Sequence, residues 1–274
     1  MKVETAMITS THKNRGLIVT TRREFLGCAS AACGVLALGS ADQATGQEAK
    51  KSDILKAAPE TWPVPKEVAG IKLPDSKLAR DATDYTRALS APIVFNHVLR
   101  TYLFGELLGR ARKLKFDSEL FYLGAVFHDL GQTERFMGQQ RFEVDGADAA
   151  AEFLKDKGVP KESIEVVWDA IALHTSFGIV ERKRPEIALV SGGAGADVAG
   201  FGLDQLSKEA VAQVIAAFPR PGFKKAYQRV LAEIVVRKPG TATGNFLAGI
   251  GERHVLGYKA PDICDLMDAA PFVD

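Results

Sequence analysis

Cysteine is scarce: the 274-residue chain has three, at Cys28, Cys33 and Cys264. Charge of one sign is missing too, because 35 basic residues face 34 acidic ones for a net charge of +1. That balance excludes the basic footprint expected of a nucleic-acid binder. Long apolar runs are absent; the most apolar stretch, Gly27 to Leu38, is about a dozen residues, short of the ~20 that span a bilayer. Strand signals, internal repeats and low-complexity blocks are also lacking. Ser191-Gly-Gly-Ala-Gly195 lacks the Lys-Ser/Thr that would complete a phosphate-binding loop. What remains, 46% hydrophobic and 25% charged residues, is the composition of a globular protein with a real core.

The N-terminus reads as a targeting segment to be set aside before fold reasoning. Thr21-Arg22-Arg23-Glu24-Phe25-Leu26 is a twin-arginine pattern, the apolar stretch follows, and Gly39-Ser40-Ala41 is a small-residue cleavage site. Residues 1–41 are therefore expected to be a twin-arginine signal peptide, recognised by the matching export machinery, with a periplasmic or exported product. Neither Cys28 nor Cys33 has a clean lipid-attachment context. Cleavage after Ala41 removes more basic than acidic residues and leaves Cys264 alone. No intramolecular disulfide is then available, and no stable membrane span remains.

Residues 42–80 read as a linker and extended arm, and the proline-rich stretch 61–90, with Pro63, Pro65 and Pro74, as the approach to the domain. From Ala91 onward the pattern is helical, with Pro92 placed as a first-turn residue and apolar positions at three-and-four spacing from Phe95 to Leu108. Asp117 caps a second helix that runs into His128-Asp129. Further helices are expected from about Asp145 to Lys157, from Lys161 to His174, from Pro185 through Asp197, and near 207–217, 223–237 and 241–257. The expectation is a single all-α domain over 81–274.

The chemistry concentrates in the order His97, His128-Asp129, Asp197. Two imidazoles and two carboxylates form a mixed nitrogen and oxygen set suited to a divalent transition metal, and both ligand types bind at neutral pH without a difficult deprotonation. Neighbours on a helix point about 100° apart, so His128 and Asp129 converge only near a helix end, where Gly131 suits a stop. His174 would be a proton donor beside the metal, a ligand for a second metal, or a histidine favoured at a helix C-terminus. His254 reads as structural or surface. Arg182-Lys183-Arg184 reads as a solvated loop or a phosphate site, and Arg141 to Gly146 as a substrate-facing carboxylate or a helix cap.

At these residues the sequence resembles the HD-domain metallohydrolase superfamily, and more closely its cyanamide hydratase-like branch. The segments that carry the resemblance are Phe95-Asn-His97-Val-Leu-Arg100-Thr-Tyr102, Phe127-His128-Asp129-Leu-Gly131-Gln-Thr133-Glu134, Arg141-Phe-Glu143-Val-Asp-Gly146 and Ala170-Ile-Ala-Leu-His174, within about residues 88 to 203. The resemblance implies one divalent metal held by His97, His128, Asp129 and Asp197. Zinc is the first expectation, with manganese, iron, cobalt or nickel used elsewhere in the superfamily. A twin-arginine leader departs from the cytosolic fungal enzymes of the branch.

The reaction that follows from this resemblance is addition of metal-activated water to a small carbon–nitrogen substrate, cyanamide to urea being the concrete case. Asp129 would bind the metal and accept the water's proton, and His174 would give a proton to the substrate nitrogen. Phe95, Phe127 and Phe177 would supply apolar walls. The alternative is a phosphohydrolase acting on a nucleotide or phosphate monoester, with Arg100 and the 182–184 cluster holding phosphate. A binding protein without turnover, or a di-iron oxygenase with further ligands, lies beyond these two.

Overall fold

Helices dominate residues 64–272, the part of the chain described by this computed structural model. The signal peptide expected at 1–41 and the linker up to residue 63 lie outside the described residues. The described part opens with a hairpin of two-residue strands, β1 (Glu67–Val68) and β2 (Ile71–Lys72), paired antiparallel. Ten α-helices follow among the described residues: α1 (Lys77–Leu89), α2 (Pro92–Ala111), α3 (Ser118–Phe127), α4 (Phe142–Asp156), α5 (Lys161–Ala172), α6 (Pro185–Ala199), α7 (Lys208–Ala217), α8 (Phe223–Arg237), α9 (Leu247–His254) and α10 (Ile263–Asp268). The all-α expectation holds. No described helix is long and apolar enough to cross a membrane.

Local chemistry sets most of the boundaries. Pro92 occupies the first turn of α2, where its missing N–H costs nothing. The Asp117 side chain accepts from the N–H groups of Glu119 and Leu120 at 2.9 and 3.0 Å and so starts α3. Ser76 and Ser207 cap α1 and α7 in the same way.

Helix α2 is buried on nearly every side, as expected of a helix that is apolar around most of its circumference. It packs closely along α6. A Cβ on Gly193 would meet the carbonyl oxygen of Thr101 at 2.0 Å, so only glycine admits this approach. One helical turn further along each helix, Asp197 on α6 faces His97 on α2. The small-residue run 191–195 is thus a helix-packing face rather than a phosphate cradle.

Several expectations need correction. From residue 64 onward, the extended arm expected at 61–90 is a hairpin followed by α1. The stripe that α1 buries is Ala79, Ala82, Thr83 and Thr86, small side chains that leave little apolar signal. Helix α4 begins at Phe142 rather than near Asp145. The helix expected near 241–257 is a 3-10 turn (Pro239–Ala242) followed by α9, and α10 was not anticipated.

Candidate metal centre

The helix end places His128 and Asp129 together. Helix α3 stops at Phe127, His128 is its C-cap, and Asp129 leaves helical geometry at φ −104°, ψ 11° before a 3-10 turn over Leu130–Gln132. Gly131 serves this turn differently from expectation. It is not in the left-handed conformation of a helix stop. A Cβ there would meet the Phe142 carbonyl oxygen at 1.9 Å, so its role is to let the start of α4 press against the His-Asp turn.

His97 from α2 completes a buried trio whose ligand atoms converge. His97 Nε2 lies 3.3 Å from His128 Nε2, and Asp129 Oδ2 lies 3.6 Å from the former and 3.4 Å from the latter. The protons of these rings are committed elsewhere. His128 Nδ1 donates to the Ala125 carbonyl at 2.8 Å, and His97 Nδ1 donates to Asp197 Oδ2 at 2.7 Å. Each Nε2 therefore presents a lone pair. Burial, and secondarily His97, pushes the His128 imidazole down to about 3, so it is neutral at physiological pH.

Two imidazole nitrogens and a carboxylate oxygen thus face one another at 3.3 to 3.6 Å in a buried site, and burial raises the Asp129 carboxyl above its ordinary value, an arrangement that suits a cation. The spacing agrees: ligands ~2.1 Å from a tetrahedral metal lie ~3.4 Å from each other. The donor set therefore fits a divalent metal, and three protein ligands leave the open position typical of a catalytic site.

Asp129 is itself held. Its Oδ1 accepts from Gln132 Nε2 at 2.5 Å and its Oδ2 from the Tyr227 hydroxyl at 2.8 Å. Gln132 Nε2 also donates to the Tyr227 oxygen at 3.0 Å. Burial, then the neighbouring Asp129 charge, raises the Tyr227 phenol well above its ordinary range, which keeps it a donor. Sequence reasoning assigned no role to Gln132 or Tyr227. Tyr227 lies 98 positions beyond Asp129, on a helix whose apolar pattern also explains its presence as core.

Asp197, the fourth expected ligand, does not converge with the trio. It sits behind His97, where Oδ2 accepts from His97 Nδ1, and Arg100 binds both oxygens, Nε to Oδ1 at 2.7 Å and Nη2 to Oδ2 at 2.8 Å. Arg220 Nε lies 3.0 Å from Oδ1. Burial opposes its ionisation, but hydrogen bonds from His97 and Arg100 outweigh it and hold the carboxyl at about 2. The result is a carboxylate–histidine pair that fixes the His97 tautomer and ring orientation.

His174 stands next to His128, with ring centroids 4.8 Å apart. Its Nδ1 donates to the Ile171 carbonyl at 2.6 Å, which leaves Nε2 free. Burial, then His128, lowers its imidazole to about 4. His174 is therefore neutral in the resting site, with Nε2 carrying its lone pair. Glu143 lies in the first turn of α4 and outside the residues that line the cavity. It is buried, and its Oε1 accepts from Arg141 Nη2 at 2.6 Å and from the Thr175 hydroxyl at 2.5 Å.

A cavity of about 250 Å³ opens over His97, His128 and His174. Phe177 lines it, as expected, but Phe95 and Phe127 do not. Both are buried in the core, Phe127 against Phe153 and Phe95 beside Arg87. Their places are taken by Phe142, Phe201, Leu231 and Phe246. Of the cationic groups considered for phosphate, Arg100 is engaged by Asp197, Lys183 by Asp169 and Arg184 by Glu186, and Arg182 is exposed and does not line the cavity. His254 is exposed at the end of α9.

Residues 94–218 match the family model of the HD domain. The matched segment runs from the first turn of α2 to the end of α7 and contains His97, His128, Asp129, His174 and Asp197. The match to the HD-domain model and the His97/His128/Asp129 cluster together are consistent with a metal-dependent hydrolase. No curated protein matches the chain.

Proposed function

We propose that the protein is a metal-dependent hydratase or hydrolase that adds water to a small, uncharged carbon–nitrogen substrate, with cyanamide to urea as the concrete case and zinc as the metal. One observation carries this reading over the phosphohydrolase alternative. Among the described residues lining the cavity over the imidazoles there is no lysine or arginine. A phosphate ester needs cationic groups where its charge develops, whereas an uncharged molecule is favoured by apolar walls with a few polar groups at one end.

His97, His128 and Asp129 would hold the cation. A bound divalent metal supplies acidified water, with a pKa brought down to about 7, and polarises the substrate. Asp129 is committed to the cation and to hydrogen bonds from Gln132 and Tyr227, so the base role is assigned to His174. His174 is the free base. Its Nε2 accepts a proton from water while hydroxide adds to the electrophilic carbon, and the same Nε2 then delivers that proton to the nitrogen that has gained charge. The Ile171 carbonyl holds the ring through Nδ1 during both transfers.

The direct test is urea formation from cyanamide by the zinc-loaded protein, with Asp129→Ala as control. Turnover that vanishes together with bound zinc in the control supports the reading. Absence of turnover at one zinc per chain, with hydrolysis of phosphate monoesters instead, overturns it. The twin-arginine pattern at 21–26 supports export of the product, and the double substitution Arg22→Lys with Arg23→Lys should retain the protein inside the cell.

A further inference from the structure

The cavity is larger and more apolar than its reacting end requires. At about 250 Å³ it has room for roughly eight water molecules at ~30 Å³ each. A molecule the size of cyanamide would occupy only a corner. Its polar groups, the three imidazoles, Thr175 and Tyr227, gather at one end. The rest is hydrocarbon.

Two of the aromatic walls are held open to solvent. Phe177 is 55% exposed and Phe201 58% exposed, and their rings meet edge to face with centroids 6.1 Å apart. Phe246 is 39% exposed and meets Phe142 at 6.3 Å. Aromatic rings left in water cost hydrophobic free energy, and a contiguous exposed apolar patch beside a cleft marks a binding surface. Phe246 and Leu231 lie outside residues 94–218, so part of this wall comes from beyond the matched HD domain.

Resting on the proposed function, we infer that the substrate carries an apolar group next to its carbon–nitrogen centre, and that Phe177 and Phe201 are specificity-determining residues that hold this group while the imidazole end holds the reacting atoms. The cavity volume admits a short alkyl chain or a single ring. Continuity of the apolar wall with the imidazole cluster fixes the orientation: polar head inward, hydrocarbon toward the mouth.

The test uses two ladders on the zinc-loaded full chain. The first measures affinity for n-alkanols from methanol to hexanol by ligand-observed NMR. These compounds carry no carbon–nitrogen bond and so report on the cavity alone. The second measures kcat/KM for N-alkylcyanamides of the same lengths. We expect each methylene to raise both quantities about fourfold until the cavity is full, and Phe201→Asp to flatten both ladders. Phe177→Asp, at a position already more than half exposed, is the second variant should the first fail to fold; zinc content and circular dichroism report folding.

A flat alkanol ladder in the unaltered protein, or slopes unchanged in both variants, overturns the inference. Turnover of cyanamide with a flat alkanol ladder leaves the reaction class standing and sinks only the apolar group. A steep, Phe201-dependent alkanol ladder with no turnover of any carbon–nitrogen compound sinks the reaction class and keeps the apolar preference of the cleft.

Discussion

Replacing Asp197 by Asn asks whether this carboxylate acts on the metal directly or through His97. The side chain keeps its shape and loses its charge. In the structure that charge accepts from His97 Nδ1 at 2.7 Å and from Arg100 at 2.7 and 2.8 Å, with Arg220 Nε at 3.0 Å. All of these contacts are formed at a site buried from solvent. Removing one partner of a buried ion pair leaves uncompensated charge and costs about 3–5 kcal/mol. For a domain of this size each kcal/mol lowers Tm by about 2–4 °C, so the metal-free variant should melt on the order of 10 °C below the parent. Zinc affinity, measured by competition with a chromophoric chelator, should fall about 10- to 100-fold, the usual effect of removing the acceptor behind a ligating histidine. Asp129→Ala should instead abolish stoichiometric binding. If Asp197→Asn also abolishes it while the protein remains folded, Asp197 is a ligand and the arrangement behind His97 is not the one that holds the metal.

Gly193→Ala places a methyl group 2.0 Å from the Thr101 carbonyl oxygen. Neither helix can yield easily, so calorimetry should show at least the ~1–3 kcal/mol of an overpacked core, and zinc binding should weaken as Asp197 moves off His97. Tyr227→Phe removes the donor to Asp129 Oδ2 and should lower zinc affinity about tenfold or more in the same competition assay; an unchanged affinity would show that Gln132 suffices. Acid should destabilise the metal-free protein. His128 and His174 have pKa values lowered from 6.5 to about 3 and about 4, so below pH 6.5 the unfolded chain binds protons that the folded one refuses. The stability these groups contribute is complete above pH 6.5 and is lost as pH falls toward those values, by roughly 1.4 kcal/mol per pH unit for each imidazole. Denaturant midpoints between pH 7 and 5 should therefore fall. In His174→Phe, which holds no titrating group there, the slope should be shallower.

Helix positions were legible wherever a cap or a proline stood beside an apolar period. Pro92, Asp117 and Pro185 all mark true starts, and the helix expected at 223–237 is α8. The convergence of His97 with the His128-Asp129 doublet was legible because few residue types make that set. The walls of the cavity were not. Helix α2 is buried nearly all round, so periodicity cannot say which face points where, and Phe95 was placed at the site when it belongs to the core. Helix α1 was missed because its buried stripe is alanine and threonine. The position of Asp197 depends on Arg220, which reaches it from the turn before α8, and nothing local to either residue signals that meeting.

That turn also joins the matched segment 94–218 to the rest of the site. Phe223, at the start of α8, has two guanidinium groups over its ring, Arg100 at 4.9 Å and Arg220 at 4.4 Å from the centroid. It stacks on Tyr227 at 5.1 Å with the rings 13° apart. The arginines that neutralise Asp197 behind His97 therefore also seat the ring beside Tyr227, whose hydroxyl holds Asp129 on the other side of the trio. His97 and Asp129 converge on the same point, and both are oriented by groups packed on one phenyl ring. The metal face is formed by residues within 94–218, but its geometry depends on α8, so the chemistry of this protein cannot be assigned to the matched segment alone.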